Sequence, residues 1–202
     1  MTPYIGSHDT PRSVTFATYR GQDAGHAQYV AGNQWDNAAG PPNDAEPYAR
    51  HRTALAWLLG QPGAPLLYYG DEYGQFGGAD PNNRAQWRGD TALAGEEAAT
   101  LAFVRKLGQA RRDLPALRRG GYQHVYATEP AIVFARQDGA SVVLVALNRS
   151  SASQPIVAPL PITLGLADGT KLKDRLGGPD VVVTSGALTF TLGPRASAIY
   201  TP

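Results

Sequence analysis

Ionisable and hydrogen-bonding side chains gather at two places in this sequence. One is His8-Asp9 within GSHDTPR, residues 6–12. The other is the run Gly70 to Arg84, where Asp71, Glu72, Asp80 and Arg84 stand among glycines and asparagines. Asp9 directly follows a strand end with the imidazole of His8 beside it, and a carboxylate there can also serve as a simple helix N-cap before Pro11. Asp80 and Arg84 suit hydroxyl recognition, because a guanidinium presents a planar fork of donors, and Gly77 and Gly78 let backbone approach a ligand. Asp71-Glu72 resembles the pair of carboxyl groups, about 5 Å apart, that a double displacement at one bond requires. If the preceding strand runs on through them, however, adjacent side chains point to opposite faces. A structural role, bonding loop backbone or the rim of the sheet, is expected for both.

The elements that position these groups read as strand, helix, strand. Tyr4-Ile5 ends a first strand, and Pro11 permits a short helix with Asp9 or Thr10 at its cap. Gly21 to Asp44 is a long loop rich in Gly, Asn and Pro. Pro47 to Leu59 is a helix, opened by Asp44 or Glu46 and ended by Gly60 and Pro62. Pro65 to Tyr69 then reads as a short strand buried on both faces, of the kind found in parallel sheets. Both polar clusters therefore fall just past the carboxyl ends of parallel strands, where an α/β barrel carries its active site. Gly95 to Arg112 forms a second helix, with Leu101, Val104 and Leu107 as its apolar stripe and Arg111 and Arg112 complementing its carboxyl end.

Beyond Leu114 the period changes from helical to alternating. Tyr122–Ala127, Ala131–Arg136, Ser141–Leu147, Val181–Thr184, Ala187–Leu192 and Ala196–Tyr200 are predicted strands, with Asp138-Gly139, Ser185-Gly186 and Gly193-Pro194 as turns. The expected fold is α/β plus all-β. Residues 1–113 would be strand–helix units and residues 114–202 an antiparallel β-sandwich that folds alone.

Composition excludes several function classes. A formal charge of +1 and 17% charged residues create no field favouring nucleic acid or a membrane surface. With no cysteine there is neither a disulfide framework nor a thiolate metal site. His26, His51 and His124 have no spacing that suggests a metal site. The start, MTPYIGSHDTPR, lacks the basic and apolar regions of a signal peptide, and the compartment stays open.

Several motifs, in order, resemble those of the α-amylase family of glycoside hydrolases. GSHDTPR is similar to the family's histidine-aspartate motif after the seventh barrel strand, with Ser7 where the family usually has Asn. PYARHRTALAWLLGQPGAPLLYYGDEYG, residues 47–74, resembles the seventh helix and eighth strand. GGADPNNR, residues 77–84, resembles a substrate-contacting loop, and LPALRRG with VVLVALNRS the approach to the C-terminal β domain. The resemblance implies that residues 1–113 are the last two strand–helix units of a (β/α)8 barrel, and that the chain is the C-terminal part of a longer retaining α-glucan hydrolase or transglycosylase. It implies Asp9 as the transition-state-stabilising carboxylate, with His8, Asp80 and Arg84 contacting an α-glucan or maltooligosaccharide. The family's nucleophile Asp and acid Glu have no counterpart here, so the segment by itself would be inactive. Calcium is frequent in the family, but its usual ligands lie outside this segment and no cofactor is identifiable within it. The rival reading is a non-catalytic carbohydrate-binding or structural module.

Overall fold

The computed structural model describes residues 1–18 and 38–202. Most of the expected Gly21–Asp44 loop, with His26, lies outside the described residues. The first helix, α1, spans Ser13–Thr18. Helix α2 spans Glu46–Gly60, with Pro47 in its first turn and the Glu46 amide donating to Asp44 Oδ1 at 3.0 Å. Helix α3, Gly95–Asp113, buries Thr100, Val104, Leu107 and Ala110, a stripe at helical spacing. A further five-residue helix not expected from the sequence, α4 (Pro115–Arg119), leads into the sheet.

Eight antiparallel strands follow: β1 (Gly121–Ala127), β2 (Ala131–Asp138), β3 (Ser141–Asn148), β4 (Gln154–Pro159), β5 (Lys171–Asp174), β6 (Val181–Thr184), β7 (Ala187–Leu192) and β8 (Ser197–Thr201). Their order is β1-β2-β3-β8-β5-β6-β7-β4. The expected two-sheet sandwich is thus one continuous sheet, curled until its end strands β1 and β4 approach each other. Ser185 and Gly186, with φ of 52° and 69°, make the two-residue turn joining β6 to β7. The two unpredicted strands carry weak signals. Strand β4 contains Pro155 and Pro159, tolerated because it is an edge strand, and β5 is a four-residue KLKD run with charges between its buried positions.

Burial separates the strands into two kinds. Strands β4 and β6 alternate buried and exposed residues, as a sheet wet on one side must. Strand β3 is buried almost throughout. Its Val142, Leu144 and Ala146 face an inner core with Ile156, Leu172 and Leu188, between the halves of the curled sheet. Its Val143, Val145 and Leu147, with Phe134 and Ile199, face Leu55, Leu59, Leu107 and Leu117 of the helices. The architecture is therefore three layers, and the second core joins the helical segment to the sheet.

One buried cation pins these layers together. Arg136 of β2, wholly buried, donates to Gly60 O at 2.7 Å, Leu117 O at 3.2 Å, Gly120 O at 2.7 Å and Gly121 O at 3.2 Å. Arg111 adds hydrogen bonds to Leu59 O at 2.7 Å, Gln61 O at 3.2 Å and Gly63 O at 2.5 Å. Arg111 thus satisfies the carbonyl end of α2 rather than, as its place in the sequence predicts, the end of its own helix. A cation suits the C-terminus of either helix, and packing chose the neighbour's.

Arg136→Met keeps much of the apolar stem and removes every donor, leaving buried carbonyls unsatisfied. A loss of about 3 kcal/mol or more is expected in urea unfolding followed by circular dichroism. Unchanged stability would show that the pin is dispensable.

Candidate active-site loops

Residues 1–4 and 63–66 run parallel, through Leu66 N to Pro3 O at 2.9 Å, Ala64 N to Met1 O at 3.2 Å and the bridge between Tyr4 and Leu66. Helix α2 lies between them in the chain, giving the expected order. The expected burial of Pro65–Tyr69 is not found: Leu66, Leu67 and Tyr69 are 43%, 37% and 39% exposed, and the pairing stops at one bridge. The described residues supply one parallel neighbour for this segment, whereas burial on both faces requires a wider sheet covered on both sides.

Past these segments the chain makes two polar loops, residues 6–12 and 70–84. Gly70 (φ 90°) begins the second, where a Cβ would stand 2.5 Å from Gln75 Oε1. Asp71 and Glu72 lie in this turn and do not continue a strand, so the alternation expected of them does not apply. Asp71 is buried, with Arg12 Nη1 at 3.5 Å. Glu72 accepts from Gly70 N and from Trp87 Nε1, each at 2.7 Å.

Arg12, also buried, ties the loops together. It donates through Nε to Asn83 O at 2.8 Å and through Nη1 to Tyr69 O, while its backbone amide reaches Gly77 O at 2.9 Å. Its guanidinium stands 4.1 Å from the centroid of the Tyr68 ring and 4.7 Å from that of Tyr69. His51, on the buried face of α2, supports the same turn from below. Asp71 O has no proton to give, so His51 Nε2 donates to it at 2.7 Å, and Nδ1 accepts from the Ser13 hydroxyl at 2.7 Å. The sequence alone gives His51 no role. Its signal was its helical spacing with Leu55 and Leu58, which places it on the core face.

At the exposed surface of these loops the four candidate side chains meet. His8 Nε2 is 3.2 Å from Asp9 Oδ1, Arg84 Nη2 is 3.9 Å from Asp9 Oδ1, and Arg84 Nε is 3.0 Å from Asp80 Oδ1. Arg84 Nε also approaches His8 O at 3.3 Å. Asp9 and His8 retain 70% and 64% of their side-chain exposure, so their hydrogen-bonding capacity is open to a ligand. Beside them is a cleft of about 370 Å³ lined by Tyr4, Ser7, His8, Leu66, Leu67 and Tyr68. Such an arrangement can bind vicinal hydroxyls and hold one net negative charge beside them. Among the described residues, no group of three His, Asp or Glu side chains converges to hold a metal ion, and no helix is long and apolar enough to cross a membrane.

Comparison with known proteins identifies the family. Residues 122–201 match the family model of the neopullulanase-like C-terminal domain. An amylopullulanase of Thermoanaerobacter thermohydrosulfuricus is 31% identical over 96% of the chain. The chain belongs to the α-amylase family of glycoside hydrolases. It corresponds to the family's C-terminal region, and it spans only 13% of that amylopullulanase. A cyclomaltodextrin glucanotransferase of Geobacillus stearothermophilus is 37% identical over 73% of the chain and 20% of its own length. Among solved structures, an Anoxybacillus α-amylase superposes with a TM-score of 0.76 at 26% identity, covering 99% of this chain and 37% of that one. The α-amylase of Geobacillus thermoleovorans, solved with acarbose, gives 0.74 at 25% identity, covering 100% of this chain and 38% of that one.

The buried support under the loops gives them opposing pH dependences. Burial pushes the His51 pKa from 6.5 down to about 4, against the raising effect of its bond to Asp71 O. Burial pushes Asp71 from 3.8 up to about 6, against the lowering effect of Arg12. As pH falls from 6.5 towards 4, the unfolded chain binds a proton on His51 that the folded chain refuses, and stability drops. As pH falls from 6 towards 3.8, the folded chain binds a proton on Asp71 before the unfolded chain does, and stability rises; that contribution is lost as pH rises through 6. Compared with the unsubstituted chain, Asp71→Asn should therefore steepen the loss of stability on acidification, and His51→Gln should reverse or flatten it. Denaturant midpoints between pH 6.5 and pH 4 measure both. Parallel curves for all three proteins would contradict the assignment.

Proposed function

We propose that this chain is the C-terminal segment of a retaining enzyme that cleaves or transfers α-glucosidic linkages. In this reading residues 1–113 are the last two strand–helix units of a (β/α)8 barrel, and residues 114–202 its C-terminal β domain. The observation that carries it is the contact chain His8, Asp9, Arg84 and Asp80, exposed where two parallel segments end. The bare apolar side chains of Tyr4, Leu66, Leu67 and Tyr69 support it too, since further barrel strands and helices would cover them. The substrate class is supported by the kinship with amylopullulanase and cyclomaltodextrin glucanotransferase, and by the acarbose bound by a structural neighbour.

The roles divide by chemistry. Asp9 holds negative charge against the positive character that develops at the anomeric carbon, and His8 binds a hydroxyl of the same sugar. Arg84, oriented by Asp80, binds hydroxyls of a neighbouring unit. A nucleophile and a proton donor come from polypeptide outside these residues. Asp71 and Glu72 are engaged in holding the loop.

In the polypeptide that contains the rest of the barrel, Asp9→Asn should lower kcat by about a hundredfold or more with little change in KM. Arg84→Ala should chiefly raise KM, about tenfold. Residues 1–202 alone should release no reducing sugar from maltooligosaccharides. Sugar binding without turnover in the longer polypeptide would favour the non-catalytic module. Turnover by residues 1–202 that Asp71→Asn or Glu72→Gln abolishes would overturn the assignment of roles.

A further inference from the structure

The loop that carries Asp9 is not held by its own turn alone. Within the turn, Ser7 N donates to Thr10 Oγ1 at 3.1 Å and Asp9 N to Ser7 Oγ at 3.2 Å. From outside, the side chain of Asn83, fully buried, donates through Nδ2 to His8 O at 2.8 Å and to Thr10 O at 2.9 Å. Those two carbonyls flank Asp9 in the chain. Both are acceptors only, so the amide has one usable orientation, and it spends both of its protons on the loop. Asn83 is itself fixed, because its backbone oxygen accepts from the buried Arg12. The turn that holds it, Asn82–Arg84, also carries Arg84, whose guanidinium faces the Asp9 carboxylate at 3.9 Å.

From this suspension we propose that Asn83 is a positioning residue for Asp9 and His8. It sets where the Asp9 carboxylate stands relative to a bound sugar, and it couples that position to Arg84 through one rigid turn. The chemistry of the position is restrictive. An aspartate has no proton for either carbonyl, leucine has the shape without the donors, and glutamine adds a methylene at a fully buried position. The inference rests on the reading of the chain as part of an α-glucan-active enzyme, but its geometric half does not.

Gly77 offers an independent perturbation of the same turn. A Cβ there would stand 2.8 Å from Asn82 O and 2.9 Å from Asn83 Cα, so Gly77→Ala must displace the turn without removing the amide. The test has two arms. In the first, ¹H–¹⁵N spectra of the 202-residue chain are compared with those of Asn83→Asp, Asn83→Leu and Gly77→Ala. Shifts concentrated in residues 7–10 and 77–84, with the resonances of β1–β8 unmoved, are expected. If residues 7–10 keep their shifts in all three variants, the proposal is wrong. A variant that fails to fold counts against it as well, because Asn83 is then a general structural residue.

In the second arm the same substitutions are made in the polypeptide that contains the rest of the barrel, assayed on maltooligosaccharides. A carboxylate displaced by about 1 Å should cost on the order of 100-fold in kcat. For the Asn83 variants, a fall in kcat that exceeds any rise in KM separates positioning from a merely structural role. A rise in KM at unchanged kcat would overturn the proposal. If the unsubstituted polypeptide has no activity on α-glucans while the spectra change as expected, the functional reading fails and the suspension of the loop by Asn83 stands.

Discussion

The hydrogen bond from the buried Arg136 guanidinium to the last carbonyl of α2, Gly60 O, is the point from which the rest of the structure is positioned. The helix end sits flush on the sheet because residue 60 is glycine. A Cβ there would meet Phe134 at 3.0 Å and Val145 at 3.3 Å. With its end pinned, α2 carries His51 to a fixed height under the 70–84 loop, where it holds Asp71 O. The loop in turn holds Arg12 and, through Asn83, the Asp9 turn. A series of backbone carbonyls met by buried donors thus connects the β domain to the exposed carboxylate.

Among the described residues, and apart from the buried Arg12–Asp71 pair, buried charge is met by backbone groups. Arg136 meets four carbonyls and no carboxylate. Asp174, its counterpart in sign, accepts from the amides of Leu176, Ile199 and Gly178 at 3.0, 3.0 and 2.8 Å. Peptide dipoles are already fixed by folding, so they stabilise a charge without ordering a second flexible side chain. The arrangement also ties each charge to a chain crossing: Arg136 to the junction of helix and sheet, Asp174 to the join of β5 and β8. Among the described residues, ion pairs between side chains lie mostly at the surface, as Arg119 with Asp138 and Arg149 with Glu129 do, where they contribute little.

The candidate site contrasts with its support. His8, Asp9, Asp80 and Arg84 are exposed and bonded mainly to one another, while Arg12, His51, Asp71 and Asn83 beneath them are buried. Rigid groups below and solvated groups above suit recognition of hydroxyls, because the ligand replaces water without first ordering the loop.

Several features were legible in the sequence because they depend on local spacing. Apolar residues three and four apart, with Pro and Gly at the ends, determined α2 and α3 to within a residue or two. Runs of β-branched residues between Gly-containing turns located β1, β2, β3, β6, β7 and β8, and the order of motifs placed the chain in its family. Other features were decided by tertiary structure alone. Pro65–Tyr69 has the composition of a buried strand, yet whether such a run is covered depends on neighbours outside it, and here its side chains meet solvent. Nothing in NNR distinguishes Asn83 from Asn82; only the fold brings residue 83 against carbonyls more than seventy positions away. Arg111 likewise carries the same charge whichever helix end it caps, and the crossing of α2 and α3 made the choice. Periodicity specifies which face of an element is apolar, but the partner of a polar group is set by distance in space, which arises only when the elements pack.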